Sequence, residues 1–237
     1  MLSVRRIAPL LACTAAAAMT STSHAELSAN LGLVTEYLRD GISETRGEYA
    51  AQLGATYIHN SGLYGGIWAS ELKRNDDHTH SEWDLFAGYS RPISHHWGID
   101  LGVMRNTFHG DWESSEQSYG EGFLRATYKQ AWVLGVRQTN NFMGSEFARR
   151  VLEASYTLHT SNFDFEFYTA RHRYLGFDDD YNFGSDYRDD YWHFRVGVER
   201  TYKQYDYRLT LERTNLTSDY DAGTTFQFGI HRYFDLW

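Results

Sequence analysis

The chain has one cysteine and two prolines among its 237 residues. The single thiol, Cys13, can close no internal disulfide, and it lies in a stretch that reads as an export signal. The mature part therefore has neither a disulfide framework nor a thiol nucleophile. With Pro9 and Pro92 as its only prolines, the sequence holds no proline-rich linker. Beyond residue 25 no apolar run approaches the roughly eighteen residues that a bilayer-spanning helix needs. Basic residues are scarce as well: 22 Lys and Arg stand against 31 Asp and Glu. Without Arg5 and Arg6 of the export signal the balance is 20 against 31, a net charge of −11, so no nucleic-acid partner is expected.

What is present points one way. Arg5 and Arg6 form a basic start, Ile7 to Ala18 an apolar stretch, and Ser23-His24-Ala25 a small-x-small cleavage site. This predicts a signal peptide over residues 1–25 and one domain over residues 26–237. Leu10-Leu11-Ala12-Cys13 is a loose lipobox, but few apolar residues precede Cys13 and more follow it, so cleavage after Ala25 is the preferred reading. The chain carries 18 Tyr, 14 Phe and 7 Trp at a mean hydropathy of −0.56. That combination suits strands with one face toward lipid and the other toward water.

The hydrophobic period is two almost everywhere. Phe163, Phe165 and Phe167 alternate with Asp164, Glu166 and Tyr168, and Trp192, Phe194, Val196 and Val198 with His193, Arg195, Gly197 and Glu199. Such segments recur over 27–38, 47–59, 63–72, 81–91, 97–108, 119–129, 131–140, 147–158, 163–174, 191–202, 205–214 and 224–234. Short links alternate with long polar ones, the layout of an outer-membrane barrel. The expected fold is all-β: an antiparallel up-and-down transmembrane β-barrel of about 12 strands. A soluble barrel or sandwich also alternates, but strands of about ten residues suit a tilted bilayer crossing better. A two-residue turn at Lys203-Gln204 would place Arg195 opposite Glu212 and Glu199 opposite Arg208, favourable cross-strand pairs on the polar face.

Two stretches carry a family resemblance. In "GLVTEYLRDGIS" (Gly32 to Ser43), Tyr37, Gly41, Ile42 and Ser43 match the opening motif of the TorF family of porins. In "NSGLYGGIWAS" (Asn60 to Ser70), Ser61, Gly62, Tyr64, Gly66, Trp68, Ala69 and Ser70 match that family's next hairpin. Thr35, Glu36 and Leu63 depart from it, and Arg39-Asp40 stands where the family has Phe-Arg, so no pore role is carried over to Arg39. The resemblance spans about the first fifty mature residues and implies an outer-membrane barrel of porin type, with no substrate attached.

Alternation assigns a pore lining of both signs: Glu48, Asp84, Asp100, Glu121, Arg125, Arg137, Glu153, Asp164, Glu166, Arg195, Glu199, Arg208 and Glu212. These charges serve either a narrow channel for small hydrophilic solutes or, paired across the lumen, a plugged structural or adhesive barrel. An outer-membrane enzyme acting on lipid is the remaining alternative; His59-Asn60-Ser61-Gly62 is its nearest candidate, but it sits at a short turn at the wrong rim for outer-leaflet lipid. No catalytic residue and no cofactor is therefore assigned. Asp178, Asp180, Asn182, Asp186 and Asp189 have spacings reminiscent of a calcium loop, yet Gly184 comes one residue late and no Glu closes the site, so a solvated acidic loop is the favoured reading. His78-Thr79-His80 and His95-His96 lack a third metal ligand at a recognisable spacing. The last stretch, "TTFQFGIHRYFDLW", reads as a barrel-closing strand that pairs with the first. Phe234 and Trp237 resemble the terminal aromatic signal that barrel-assembly machinery reads. The expected location is the outer membrane of a Gram-negative cell, with membrane lipid, the assembly machinery and small polar solutes as partners and oligomerisation left open.

Overall fold

The computed structural model describes residues 25–74, 78–176 and 189–237. The export signal up to residue 24 lies outside these, as do Asp178, Asp180, Asn182 and Asp186 of the acidic loop. Among the described residues fourteen strands follow one another: β1 (Glu26–Val34), β2 (Leu38–Arg39), β3 (Ile42–Ser43), β4 (Ala50–Ile58), β5 (Leu63–Glu71), β6 (Ser81–Pro92), β7 (Trp97–His109), β8 (Tyr119–Tyr128), β9 (Trp132–Thr139), β10 (Ala148–His159), β11 (Asp164–Leu175), β12 (Asp190–Tyr202), β13 (Tyr205–Thr214) and β14 (Thr224–Asp235). All except β2 and β3 form one closed antiparallel barrel in which each strand pairs with its sequence neighbours and β14 returns to β1. No helix among the described residues is long and apolar enough to cross a membrane.

Alternation builds the wall. Residues such as Leu31, Leu101, Val103, Leu134 and Phe226 face outward and are exposed, whereas Asp100, Arg125, Arg137 and Glu153 on the same strands or their neighbours face inward and are buried. The barrel is thus inverted relative to a soluble protein, with its ionic groups inside and its apolar surface outside. Close to the short turns the outer face is aromatic: the rings of Trp97 and Tyr128 lie 4.8 Å apart and those of Trp132 and Tyr156 4.5 Å apart.

The seam between the chain ends is continuous. Leu31 stands opposite Arg232 and Ala29 opposite Phe234. The ladder runs past the end of β14, because Leu27 N donates to Trp237 O (2.8 Å) and Leu236 N to Leu27 O (2.9 Å). Closure leaves no open edge in the barrel sheet. The β12–β13 register is the one expected from the Lys203-Gln204 turn: Arg195 faces Glu212, Glu199 faces Arg208, and Val196 and Val198 face Leu211 and Leu209.

The first two strands depart from the expected bounds. The first strand stops at Val34 rather than running to residue 38, and the second starts at Ala50 rather than 47. The fifteen residues between them carry the β2–β3 hairpin, which turns into the barrel lumen. Asp40 and Gly41 form its tip with φ of 55° and 80°, the left-handed pair of a type I′ turn, for which Asp-Gly is a preferred sequence. Glycine is required at the second place: a Cβ on Gly41 would lie 2.7 Å from His193 Cδ2 and 2.5 Å from Thr214 Cγ2.

Removing Trp237 takes away the carbonyl that receives Leu27 N and the ring that lies 5.8 Å from Tyr57. The truncated chain should fold into detergent or vesicles more slowly, with a smaller fraction migrating as the heat-sensitive compact band on electrophoresis. An unchanged folding rate and yield would show that the seam does not depend on its last residue.

Candidate functional site

The inner wall on the long-loop side is organised around the hairpin tip. Asp40 is buried there, and its Oδ1 accepts from Arg137 Nη2 (2.7 Å) while its Oδ2 accepts from Arg149 Nη1 (2.8 Å). Tyr191 donates its hydroxyl to the Asp40 carbonyl (3.3 Å), and His172 Nδ1 stands 3.9 Å from the Asp40 carboxylate. Burial alone would raise the Asp40 pKa, but Arg137 and Arg149 outweigh it and hold the carboxyl well below its usual range.

The two arginines are gripped from the wall as well. Arg137 Nη1 and Arg149 Nη2 reach the two oxygens of Glu121 at 3.1 and 3.4 Å. Glu153 accepts from Arg125 Nε (2.7 Å) and Arg137 Nε (3.3 Å), and Arg125 Nη1 lies 3.7 Å from Asp100, which also takes the Tyr64 hydroxyl at 2.7 Å. Arg149 is seated on the Phe142 ring at 3.6 Å. Charges of alternating sign on β7 to β10 thus satisfy one another, as buried ions must.

The hairpin stem is held separately. Arg39 Nε donates to Glu44 Oε1 and Arg74 Nε to Glu44 Oε2, both at 2.6 Å, and Arg39 Nη1 lies 3.7 Å from Glu82. Burial opposes ionisation of Glu44, yet Arg39 and Arg74 lower its pKa. Tyr37 donates its hydroxyl to Glu82 (3.0 Å) and packs edge-on against Trp68 at 5.4 Å. Tyr37, Gly41, Ile42 and Ser43 of the first motif therefore lie in the infolded segment, and Trp68 of the second motif is the wall on which it rests.

Toward the short turns a second ionic group lines the lumen. Arg195 holds Glu166 through two bonds (3.2 and 3.1 Å), and Arg208 bridges Glu166 to Glu199, the latter at 3.2 Å. Arg195 is opposite Glu212 in register but is ion-paired to Glu166 on the neighbouring strand, and Glu212 accepts from His193 Nε2 at 2.8 Å. Asp164 pairs with His159 (3.0 Å), and Asp84 is buried opposite Trp68 and Asn106.

Glu48 stands apart from the other residues assigned to the lumen by alternation. It precedes β4, is exposed, and pairs with Lys73 at 2.7 Å, because the chain there is still the return limb of the infolded segment rather than a strand. Asp189, the described member of the acidic-loop candidates, pairs with Arg173 at 3.0 Å. Among the described residues no three His, Cys, Asp or Glu groups are placed to hold a metal ion. His59 Nδ1 and Ser61 Oγ lie 2.8 Å apart on an exposed short turn, where Ser61 N also donates to that nitrogen at 3.2 Å, the bonding of a turn rather than of a rim site.

Arg39, Asp40, Glu44, Arg149, His172 and Tyr191 were not singled out from sequence for the lumen. Arg149 and His172 share the phase of Glu153 and Glu166 and could have been found by extending the alternation. The signal for Asp40 was the Asp-Gly pair itself.

Replacing Asp40 with Ala leaves Arg137 and Arg149 short of a counter-charge in a buried setting, at a cost of about 3–5 kcal/mol. The wild-type chain should keep the Asp40 contribution above the ordinary aspartate pKa of about 3.9 and lose it as pH falls through the lower folded value. Thermal unfolding of both proteins in detergent from neutral to acid pH should show a large gap at neutrality that narrows on acidification. A gap that does not change with pH would mean that Asp40 acts by shape and not by charge.

Solved porins share the architecture. A NanC porin aligns over 89% of this chain and 100% of its own with a TM-score of 0.58 and 11% identity. A KdgM porin aligns over 87% and 99% with a TM-score of 0.55 and 10% identity, and a KdgM porin in complex with disordered oligogalacturonate over the same shares at 0.56 and 9%. At such identities the likeness is one of fold. No curated protein is similar to the chain in sequence. The family model for Gcw_chp, described as bacterial protein of unknown function, matches residues 18–230, and the chain belongs to that family.

Proposed function

We propose that this protein is an outer-membrane channel of porin type for the passive passage of small hydrophilic solutes, exported by its N-terminal signal and not acting as an enzyme. One observation carries the reading: a closed barrel with an apolar outer wall encloses a lumen lined by ionic side chains, with the β2–β3 hairpin folded into it. An apolar exterior around a polar interior is the arrangement a bilayer demands of a barrel. The resemblance to the TorF porins supports the same class, as does the shared fold of the NanC and KdgM porins. Because guanidinium and carboxylate groups interleave along the wall, the lumen does not present one sign of charge, and solute size rather than charge is the expected filter.

A plugged barrel is the second reading, favoured by the near-complete burial of His172, Tyr191 and Arg149 around the hairpin tip. Planar-bilayer recording separates the two. The channel reading expects discrete conductance steps from the wild-type protein, and larger steps once residues 37–44 are replaced by a Gly-Ser linker of equal length. A silent wild type with a conducting linker variant supports the plugged barrel. Silence from both, with folding shown by a heat-dependent electrophoretic shift, removes the channel reading.

A further inference from the structure

The outer wall near the short turns carries a cationic feature that the lumen does not explain. Arg200, Lys203 and Arg232 lie on β12, the following turn and β14, each set against an aromatic ring: Arg200 over Phe163 at 5.2 Å, Lys203 over Tyr202 at 5.4 Å, and Arg232 over Phe234 at 4.7 Å. The carboxylates of β11 to β13 at this end belong to the inner face: Asp164 pairs with His159, Glu199 with Arg208, and Asp206 shares the face of Arg208 on β13. The chain has a strong acidic excess, yet on β12 and its turn the outward charges here are Arg200 and Lys203.

Beside these cations the same wall holds a groove of about 420 Å³. Val198, Leu209, Phe228, Phe163, Tyr202 and Tyr207 give it an apolar lining; Arg200 lines it too, as do Glu199 and Arg208, whose charges pair with each other at 3.2 Å. The groove is therefore mainly apolar, and the cation in its lining that no carboxylate answers there is Arg200. A snorkelling arginine or lysine with its stem on apolar surface places its head at a bilayer interface. Basic side chains clustered at that level attract anionic headgroups.

From this geometry we infer a binding site for one anionic glycerophospholipid of the leaflet next to the short turns, with an acyl chain in the groove and the phosphate among Arg200, Lys203 and Arg232. This rests on the barrel standing in a bilayer. Charge complementarity selects the ligand: a zwitterionic lipid brings its own ammonium to the phosphate, whereas phosphatidylglycerol leaves the phosphate charge for the protein. Free phosphate would use the same cations but has no chain for the groove.

The test is native mass spectrometry of the full chain folded in detergent and offered phosphatidylglycerol, phosphatidylcholine or inorganic phosphate. Flotation with phosphatidylcholine vesicles first establishes insertion; failure to float would refute the membrane reading itself. With insertion shown, one tightly retained phosphatidylglycerol is expected, with weaker phosphatidylcholine adducts and no retention of phosphate. Arg200→Gln, Lys203→Gln and Arg232→Gln together should weaken retention by on the order of fivefold for each charge removed. Arg200→Lys with Arg232→Lys should keep it, and Leu209→Trp, which fills the groove while leaving the cations, should reduce it. Equal retention of the two lipids, phosphate bound as well as lipid, or a triple variant that floats and still retains phosphatidylglycerol would each overturn the assignment.

Discussion

The position of the hairpin inside the barrel depends on one carboxylate. Asp40 meets Arg137 and Arg149, which lie 97 and 109 residues further along the chain on adjacent strands. A buried guanidinium is tolerated only with its charge answered at close range, and the wall carboxylates Glu121 and Glu153 are already shared among Arg125, Arg137 and Arg149. Hairpin and wall are therefore a joint solution: the tip stays in the lumen because the wall has arginines to satisfy, and the wall keeps its rotamers because the tip is there. The Asp40-Gly41 turn supplies the backbone that makes this reach possible, and the contacts of Gly41 with His193 and Thr214 leave no room for a larger residue.

The two halves of the lumen differ in consequence. On the long-loop side the hairpin lies in the lumen and the side chains that meet it are almost wholly buried, whereas the cluster of Arg195, Glu166, Arg208 and Glu199 toward the short turns is made by wall strands alone. One segment of the chain, and not the wall alone, thus shapes the interior on the long-loop side.

The barrel was legible in the sequence because a period of two is a local property, readable without knowing which strands meet. The β12–β13 register followed from a single turn for the same reason. The hairpin was not legible. Leu38, Arg39, Asp40 and Gly41 are four consecutive buried residues, and a segment surrounded on all sides shows no alternation to read. Tyr37 and Leu38 could then be taken as the tail of β1, and Arg39, shifted by one residue from the family's arginine, received no role by resemblance; in the structure it is buried beside Glu44 and Glu82. Individual ion pairs were likewise out of reach. Cross-strand opposition put Arg195 with Glu212, but a curved inner wall brings neighbouring strands' long side chains together, and Glu166 is taken instead while His193 takes Glu212. Register is a matter of backbone; ionic partnership depends on which competitors are near.

The base of the plug is fastened to the last strand of the chain. Thr35 N donates to Phe228 O (2.8 Å), Phe228 N to Thr35 Oγ1 (2.9 Å), and Gln227 Nε2 to Glu36 O, while Ser43 N donates to Asp221 O (2.9 Å) just ahead of β14. β14 thus carries the acceptor and donors that seat the start of the infolded segment, and it is also the strand that zips against β1. Seating the hairpin and sealing the cylinder therefore draw on the same strand. A displacement of the hairpin base pulls on β14, and a loosened seam slackens the footing of the hairpin.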